Sequence, residues 1–452
     1  MTSASSILAG DAGGRSRPAD MVRYFWPLAL QAASQGLTYP MAAMVASRGT
    51  GGPLDMAGLI QATTVMFFLG TLGFGLVTTG MVYGRSAEGF RVYHAVCRWL
   101  AVVIIAIQGV LCLPTVARLL FEGLIGVPAS IGDPSRLALT ACIPLQFAFF
   151  LRIPYQVAMY NARATTLASL PTLLRIALTV ALVPVFAWAG RGGPIWGVVC
   201  LGAPVVMEVL MSRYLAGPYM ARLQHVRDTA PRWQELLAFN LPLSIGGMLL
   251  SLSATMLAAF IARADFPEVT MPVYYLALGV VTPLAYSATR VQEVVLAFGG
   301  EDDGPRRTLR FATAAGALLG LLPLVLIVPG IAERYYVLLQ NLPAAHLPLI
   351  RQTALALVFY PLCVAIRAQG EGLAGRAKRP LCMIAGQGVF MGAVIAAAVM
   401  LLALGAPGYL IGPAGLICGN LSATLTLRLI LRRAPGPEMP VPPTTTAHGQ
   451  VR

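Results

Sequence analysis

The sequence predicts an all-α polytopic membrane protein with twelve transmembrane helices in two parallel six-helix bundles. Three observations carry this prediction: an apolar composition, twelve hydrophobic runs of spanning length, and a pattern of basic residues that recurs after 215 positions. Of 452 residues, 57% are hydrophobic and 11% are charged, and the mean hydropathy is +0.73. Soluble domains carry about 25% charged residues, so a chain this apolar has too little polar surface to dissolve in water.

Residues 1–22 read as a polar tail, rich in Gly and Ser, with no signal peptide and cleavage site. A helix crossing the hydrocarbon needs about 20 apolar residues. The runs that qualify are 24–47, 57–82, 95–117, 137–160, 166–189, 194–215, 234–261, 271–298, 309–332, 349–373, 380–404 and 408–431. Residues 23–215 form the first bundle, 216–233 a cytoplasmic linker and 234–433 the second bundle. The stretch 434–452 contains "PGPEMPVPPTTT" and reads as a disordered Pro/Thr-rich tail. The connections are short, so no soluble domain is inserted.

Cytoplasmic loops collect Lys and Arg. With the N-terminus inside, 21 basic residues fall on the inner side and 7 on the outer side, which places both termini in the cytoplasm. The net charge of +14 is thereby explained as topology and needs no nucleic-acid partner. Lys378 is the one lysine in a chain of 31 arginines, a bias that suggests a bacterial inner (cell) membrane. It is followed by Arg379, so there is no P-loop lysine followed by Ser or Thr. The seven cysteines are scattered singly and the four histidines lie apart, which indicates neither a disulfide framework nor a metal site. No cofactor motif is present. No Asp or His lies deep in a span to serve as a general base, which argues against an enzyme.

The stretch "PLALQAASQGLTYPMAAMVASR" (27–48) pairs with "PLSIGGMLLSLSATMLAAFIAR" (242–263). Seven basic residues have a basic partner 215 positions on, among them Arg152/Arg367 and Arg163/Lys378. Each half holds six spans, so both enter the membrane from the same side. Secondary transporters use such parallel repeats and bind substrate between the halves.

Arg152, Arg175, Arg290 and Arg367 lie inside spans. A central Arg costs about 2.5–3.5 kcal/mol on insertion scales. Arg290 and Glu293 are three residues apart, and Arg367 and Glu371 four, so each pair shares a helix face. Arg152 and Arg175 have no acid within four residues on their own helices, and an uncompensated charge is expected there. Arg152 sits about 16 Å before the loop residue Arg163 along the helix, which places it in the inner half of the membrane. Four cations at one level suggest a cavity open to the cytoplasm that attracts an anion. The planar fork of Arg suits carboxylate and phosphate. Arg152 and Arg367 are the expected substrate contacts, Arg175 and Arg290 second contacts, and Glu293 and Glu371 the acids that reset the arginines when the site empties. Pro27, Pro40, Pro154, Pro242 and Pro361 each remove a backbone hydrogen bond within a span and are candidate hinges.

At "FWPLALQAASQGLTYPMAAMVASRGTGG" (25–52) the sequence resembles the multidrug/oligosaccharidyl-lipid/polysaccharide (MOP) flippase superfamily, which includes the multidrug and toxic compound extrusion (MATE) transporters. The likeness is strongest to the progressive ankylosis protein family. It is carried by Trp26, Pro27, Leu28, Ala29, Leu30, Ala33, Gln35, Pro40, Ser47, Arg48, Gly51 and Gly52. In "FYPLCVAIRAQGEG" (359–372) it is carried by Phe359, Pro361, Val364, Arg367, Ala368 and Gly372. The resemblance implies a MATE-like V-shaped pair of bundles and export of small anions such as pyrophosphate, citrate or nucleotides. Proton-coupled drug extruders of the superfamily typically carry an acid in the first span, and 24–47 has none, which argues against cationic drug efflux.

The expected function is a secondary active transporter that exports a small organic or phosphate-bearing anion by alternating access. A flippase for a lipid-linked oligosaccharide is the alternative, marked by a lateral opening and an apolar groove. A membrane-embedded transferase is the alternative from another class. Covalent turnover of a substrate would distinguish it.

Overall fold

The computed structural model describes residues 17–34, 36, 38–223, 230–339 and 342–433. Most of the expected N-terminal tail, the C-terminal tail, linker residues 224–229 and Gln35 lie outside them. The described residues are helical and contain no strand. The first lobe comprises α1 (Pro18–Ser34), α2 (Thr38–Ala46), α3 (Pro53–Gly70), α4 (Leu76–Tyr83), α5 (Ala87–Leu111), the short α6 (Pro114–Arg118), α7 (Ala129–Asn161), α8 (Thr165–Trp188) and α9 (Pro194–Leu223). The second comprises α10 (Trp233–Ile261), α11 (Pro267–Thr289), α12 (Val291–Phe298), α13 (Gly304–Leu321), α14 (Leu347–Leu357), α15 (Phe359–Arg376), α16 (Pro380–Ala403) and α17 (Gly408–Arg433).

Eleven helical runs among the described residues are long and apolar enough to cross a membrane. The expected first span, 24–47, corresponds to α1 and α2, on either side of residues 35–37. Helices dominate because hydrocarbon offers backbone N–H and C=O groups no other partner. Two boundaries differ from expectation. Residues 18–22 belong to α1, not to a tail, and α9 continues to Leu223, eight residues into the expected linker.

Spans beyond the first are interrupted as well. The second kinks at "GTLGFG" (70–75), where a 3-10 turn, Thr71–Gly73, separates α3 from α4. The eighth breaks at Arg290, between α11 and α12. The tenth breaks at Val358, between α14 and α15, because Pro361 has no N–H to give to the Leu357 carbonyl. Pro154, Pro27 and Pro242 lie inside α7, α1 and α10 without interrupting them. Pro40 lies in α2, and Arg48 in the turn that follows it. At the tenth-span kink, Gly316 and Gly320 of α13 let two backbones approach closely. A Cβ on Gly320 would clash with the Val358 carbonyl oxygen.

Three apolar clusters locate the core. One lies within the first lobe, around Leu59, Met66, Phe121 and Leu139. One lies within the second, around Val273, Tyr336, Ile350 and Val394. The largest joins both lobes through Tyr24, Tyr83, Phe239 and Phe298, at the face where α1 begins and α17 ends. The lobes therefore share a core at this terminal face and keep separate cores beyond it.

Gly320→Ala should lower stability by about 1–3 kcal/mol, because the carbonyl it meets belongs to rigid backbone. Gly109→Ala, which meets nothing within 4 Å, should be neutral or mildly stabilising. Thermal unfolding midpoints of the two variants in detergent check this. Equal midpoints would contradict the packing argument.

Candidate functional site: a guanidinium–carboxylate cluster in each lobe

In the first lobe the polar residues of four helices converge on Glu208. Arg152 and Gln156 lie one turn apart on α7, and Thr172 and Arg175 lie nearly one turn apart on α8, so each helix presents two polar groups on one face. Glu208 Oε1 accepts from Arg152 Nη1 at 2.7 Å, from Gln156 Nε2 at 3.4 Å and from the Thr172 hydroxyl. Arg175 Nε lies 3.4 Å from Glu208 Oε2. Gln31 of α1 completes the set by donating to Thr172 Oγ1 at 2.9 Å and accepting from Ser169.

The Glu208 side chain is 0% exposed, Arg175 5% and Arg152 15%, so the cluster is dry and opens mainly past Arg152. It holds two cations and one anion, an excess of one positive charge. Arg152 Nε, Arg175 Nε and Glu208 Oε2 are buried without a hydrogen-bond partner. The Arg152 guanidinium also stacks 4.9 Å from the centre of the Phe149 ring. Arg175 lines a narrow crevice with Thr38, Tyr39, Phe149 and Val205.

The second lobe builds a related cluster with a different charge. Arg367 Nη1 donates to Glu371 Oε1 at 2.7 Å, and its Nε donates to Asn420 Oδ1 at 2.8 Å. Gln387 Nε2 reaches Glu371 Oε1 at 3.3 Å. Arg152/Arg367, Gln156/Glu371, Thr172/Gln387, Arg175/Phe390 and Glu208/Ala423 are each 215 positions apart. The repeat has thus moved its acid from the sixth span to the fourth and replaced the second arginine by Phe390, whose ring lies 5.8 Å from the Arg367 guanidinium. The second cluster is neutral.

Arg290 pairs with Glu293 at 2.9 Å, at the junction of α11 and α12. Ser287, nearby on α11, donates to the Ala29 carbonyl of α1, so this pair stands at the seam between lobes.

The two same-helix ion pairs expected from sequence are formed. The expectation that Arg152 and Arg175 lack counter-charges is corrected. Both meet Glu208, which lies 56 positions from Arg152 and on another helix, beyond the reach of a search along one helix. The single cavity of four cations is corrected as well. By their partners the arginines fall into three groups: the first lobe, the second lobe and the seam. Arg152 and Arg367 each point into their own bundle. Glu208, Gln156, Thr172, Gln31 and Asn420 were not singled out by sequence. Glu208 had a visible signal, as an acid inside the apolar run 194–215.

No family model matches the sequence, and no curated protein does. Solved structures do. A MOP superfamily transporter from Pyrococcus furiosus, reported with reversed polarity of its binding pocket, aligns with a TM-score of 0.72 and 14% identity, covering 96% of this chain and 98% of that one. An outward-facing multidrug resistance MATE family transporter gives 0.72 at 13% identity, with the same coverage. The MATE transporter ClbM in complex with Rb+ gives 0.68 at 17% identity, covering 95% of this chain and 97% of that one. The fold is that of the MATE transporters. The finer likeness to the progressive ankylosis family rests on the sequence motifs alone.

Removal of Glu208 would strand two guanidiniums, the buried one of Arg175 and the partly buried one of Arg152, whereas removal of Glu371 strands one that keeps Asn420. Glu208→Ala should therefore cost about 3–5 kcal/mol and Glu371→Ala less. Unfolding curves of the two variants check the order. The reverse order would contradict the charge count.

Proposed function

We propose that the chain is a secondary active transporter of the inner membrane that exports a small organic or phosphate-bearing anion by alternating access. Both termini are cytoplasmic in this reading. The anion loads at Arg152 and Arg175. The observation that carries the proposal is the single excess positive charge of the first-lobe cluster, together with a buried Arg152 Nε–H that has no hydrogen-bond partner and an Arg175 Nε–H that meets Glu208 Oε2 only as an ion pair at 3.4 Å. A buried, uncompensated charge is costly, and one anionic group beside Glu208 brings the cluster to neutrality. A carboxylate or phosphate supplies that charge and two acceptor oxygens at once. A cation would meet net repulsion, since the local field selects by sign. The reversed pocket polarity reported for the P. furiosus neighbour agrees with pocket charge varying on this fold.

Arg367 and Arg290 are secondary in this scheme. Each is already neutralised by its own acid, so a passing anion must compete with Glu371 or Glu293, and those acids restore the arginines once it leaves. Transport needs no bond-making chemistry and no cofactor.

Ligand-induced thermal shifts on the purified protein test the assignment, with citrate, pyrophosphate and ATP set against ethidium. At least one anion should stabilise the protein and ethidium should not. Arg152→Ala and Arg175→Ala should each weaken the anion by about tenfold or more, the worth of one charge-assisted hydrogen bond. Arg152→Lys should recover part of the loss, because charge returns without the fork. Arg367→Ala should have the smaller effect. Anion binding that survives loss of both Arg152 and Arg175 would overturn the site.

A further inference from the structure

The seam on the terminal face is built twice, about a local twofold. Tyr24 of the first lobe meets Phe298 of the second edge to face, with centroids 5.4 Å apart. Phe239 of the second meets Tyr83 of the first at the same 5.4 Å and in the same manner. Tyr24 and Phe239 are 215 positions apart, and so are Tyr83 and Phe298. A cation also lies over the ring that each lobe lends to the other. The Arg163 guanidinium lies 4.0 Å from the Phe298 centroid, and the Lys378 ammonium 4.6 Å from the Tyr83 centroid. These two cations are also 215 apart. Each lobe thus holds an aromatic ring of the other with both an aromatic ring and a cation of its own.

The backbone is shaped for this. Arg163 has φ 57° and Lys378 φ 53°, the left-handed region that disfavours residues with a Cβ. The same hydrogen bonds hold both turns: Arg163 N to Tyr160 O and Ala164 N to Met159 O in one lobe, Lys378 N to Gly375 O and Arg379 N to Ala374 O in the other. Glycine would relieve the strain but could not supply a cation. The chain's one lysine is spent here. Deeper in the seam the symmetry continues. Ser244 Oγ donates to the Leu72 carbonyl at 2.6 Å, and Ser287 Oγ to the Ala29 carbonyl at 2.7 Å. Among the described residues the first-lobe cation is the one reinforced, since Arg163 also donates to Ala297 O at 3.0 Å and to Glu301 at 2.8 Å.

We propose that the two aromatic–cation clusters are paired latches of a gate on the terminal face, and that both must open before the site can load from that side. The inference rests on the transporter reading but does not depend on the identity of the cargo. Separating the lobes at this face withdraws Phe298 from Tyr24 and Arg163, and Tyr83 from Phe239 and Lys378. Because the latches are related by the twofold, a rocking motion about that axis releases both together, and the Arg163 side is the stronger.

The test is the labelling rate of a cysteine placed behind the latches. Gln292 sits about 9 Å deeper than Phe298 along α12 and bonds Thr78 of the other lobe at 2.9 Å. Gln292→Cys is labelled with a polar maleimide added at the terminal face, with labelling of the wild-type protein subtracted. Adding Arg163→Ala and Lys378→Ala together should raise the rate by about tenfold, with Arg163→Ala alone giving the larger share. Arg91→Ala with Arg306→Ala, an equally spaced pair that caps no ring, should change nothing. An unchanged rate in the latch variant, or an equal rise in the control, would overturn the proposal. Labelling needs no ligand. A rate that responds while no anion binds would count against the cargo and leave the gate standing, whereas anion binding with an unresponsive rate would sink the gate alone.

Discussion

A guanidinium carried into the hydrocarbon must find its counter-charge inside the protein, and the rest of the molecule is arranged around that requirement. Glu208 meets it for Arg152 and Arg175 together. To do so, α7, α8 and α9 must pack with three charged side chains in register, and α1 must bring Gln31 to the edge of the same network. One carboxylate serves two cations, so the cluster stays short of neutrality by one charge. That shortfall distinguishes the first lobe from the second, where Arg367 has its own acid and an amide besides.

The two lobes descend from one plan, and the most informative positions are those where the plan is kept in one respect and broken in another. At the terminal face it is kept position for position, with ring matching ring and cation matching cation, which suits the proposed paired latches. In the bundle interiors the arginine is kept, but the acid has changed helix and the second arginine has become Phe390. The second lobe thus keeps the shape of the cluster without its charge. In the proposed transport scheme the lobe that loads needs a mechanical partner, and a neutral copy can fill that role.

Much of this was legible in the sequence because membrane spans are written in one dimension. Hydrophobic length gave the crossings, Arg placement gave the proposed sidedness, and the 215-residue offset gave the halves. The pairs Arg290–Glu293 and Arg367–Glu371 were visible because helical spacing puts three- and four-residue neighbours on one face. The partner of Arg152 was not, since which face of α9 meets α7 is decided by packing across helices. The helix breaks divide in the same way. The one at Val358 follows from Pro361 by local chemistry, whereas Pro154, equally visible, sits within an unbroken helix. The latches escaped notice because an aromatic ring near a span end also reads as an interfacial anchor, and only the structure brings Tyr83 to Lys378.

The central claim is that one excess positive charge in the first lobe selects an anion for export. Uptake into inside-out membrane vesicles tests it most directly, with labelled citrate, pyrophosphate and nucleotides compared against ethidium. The account predicts accumulation of at least one anion, lost when Arg152 and Arg175 are both replaced by alanine, and no accumulation of ethidium. Accumulation of ethidium with no transport of any anion would contradict it.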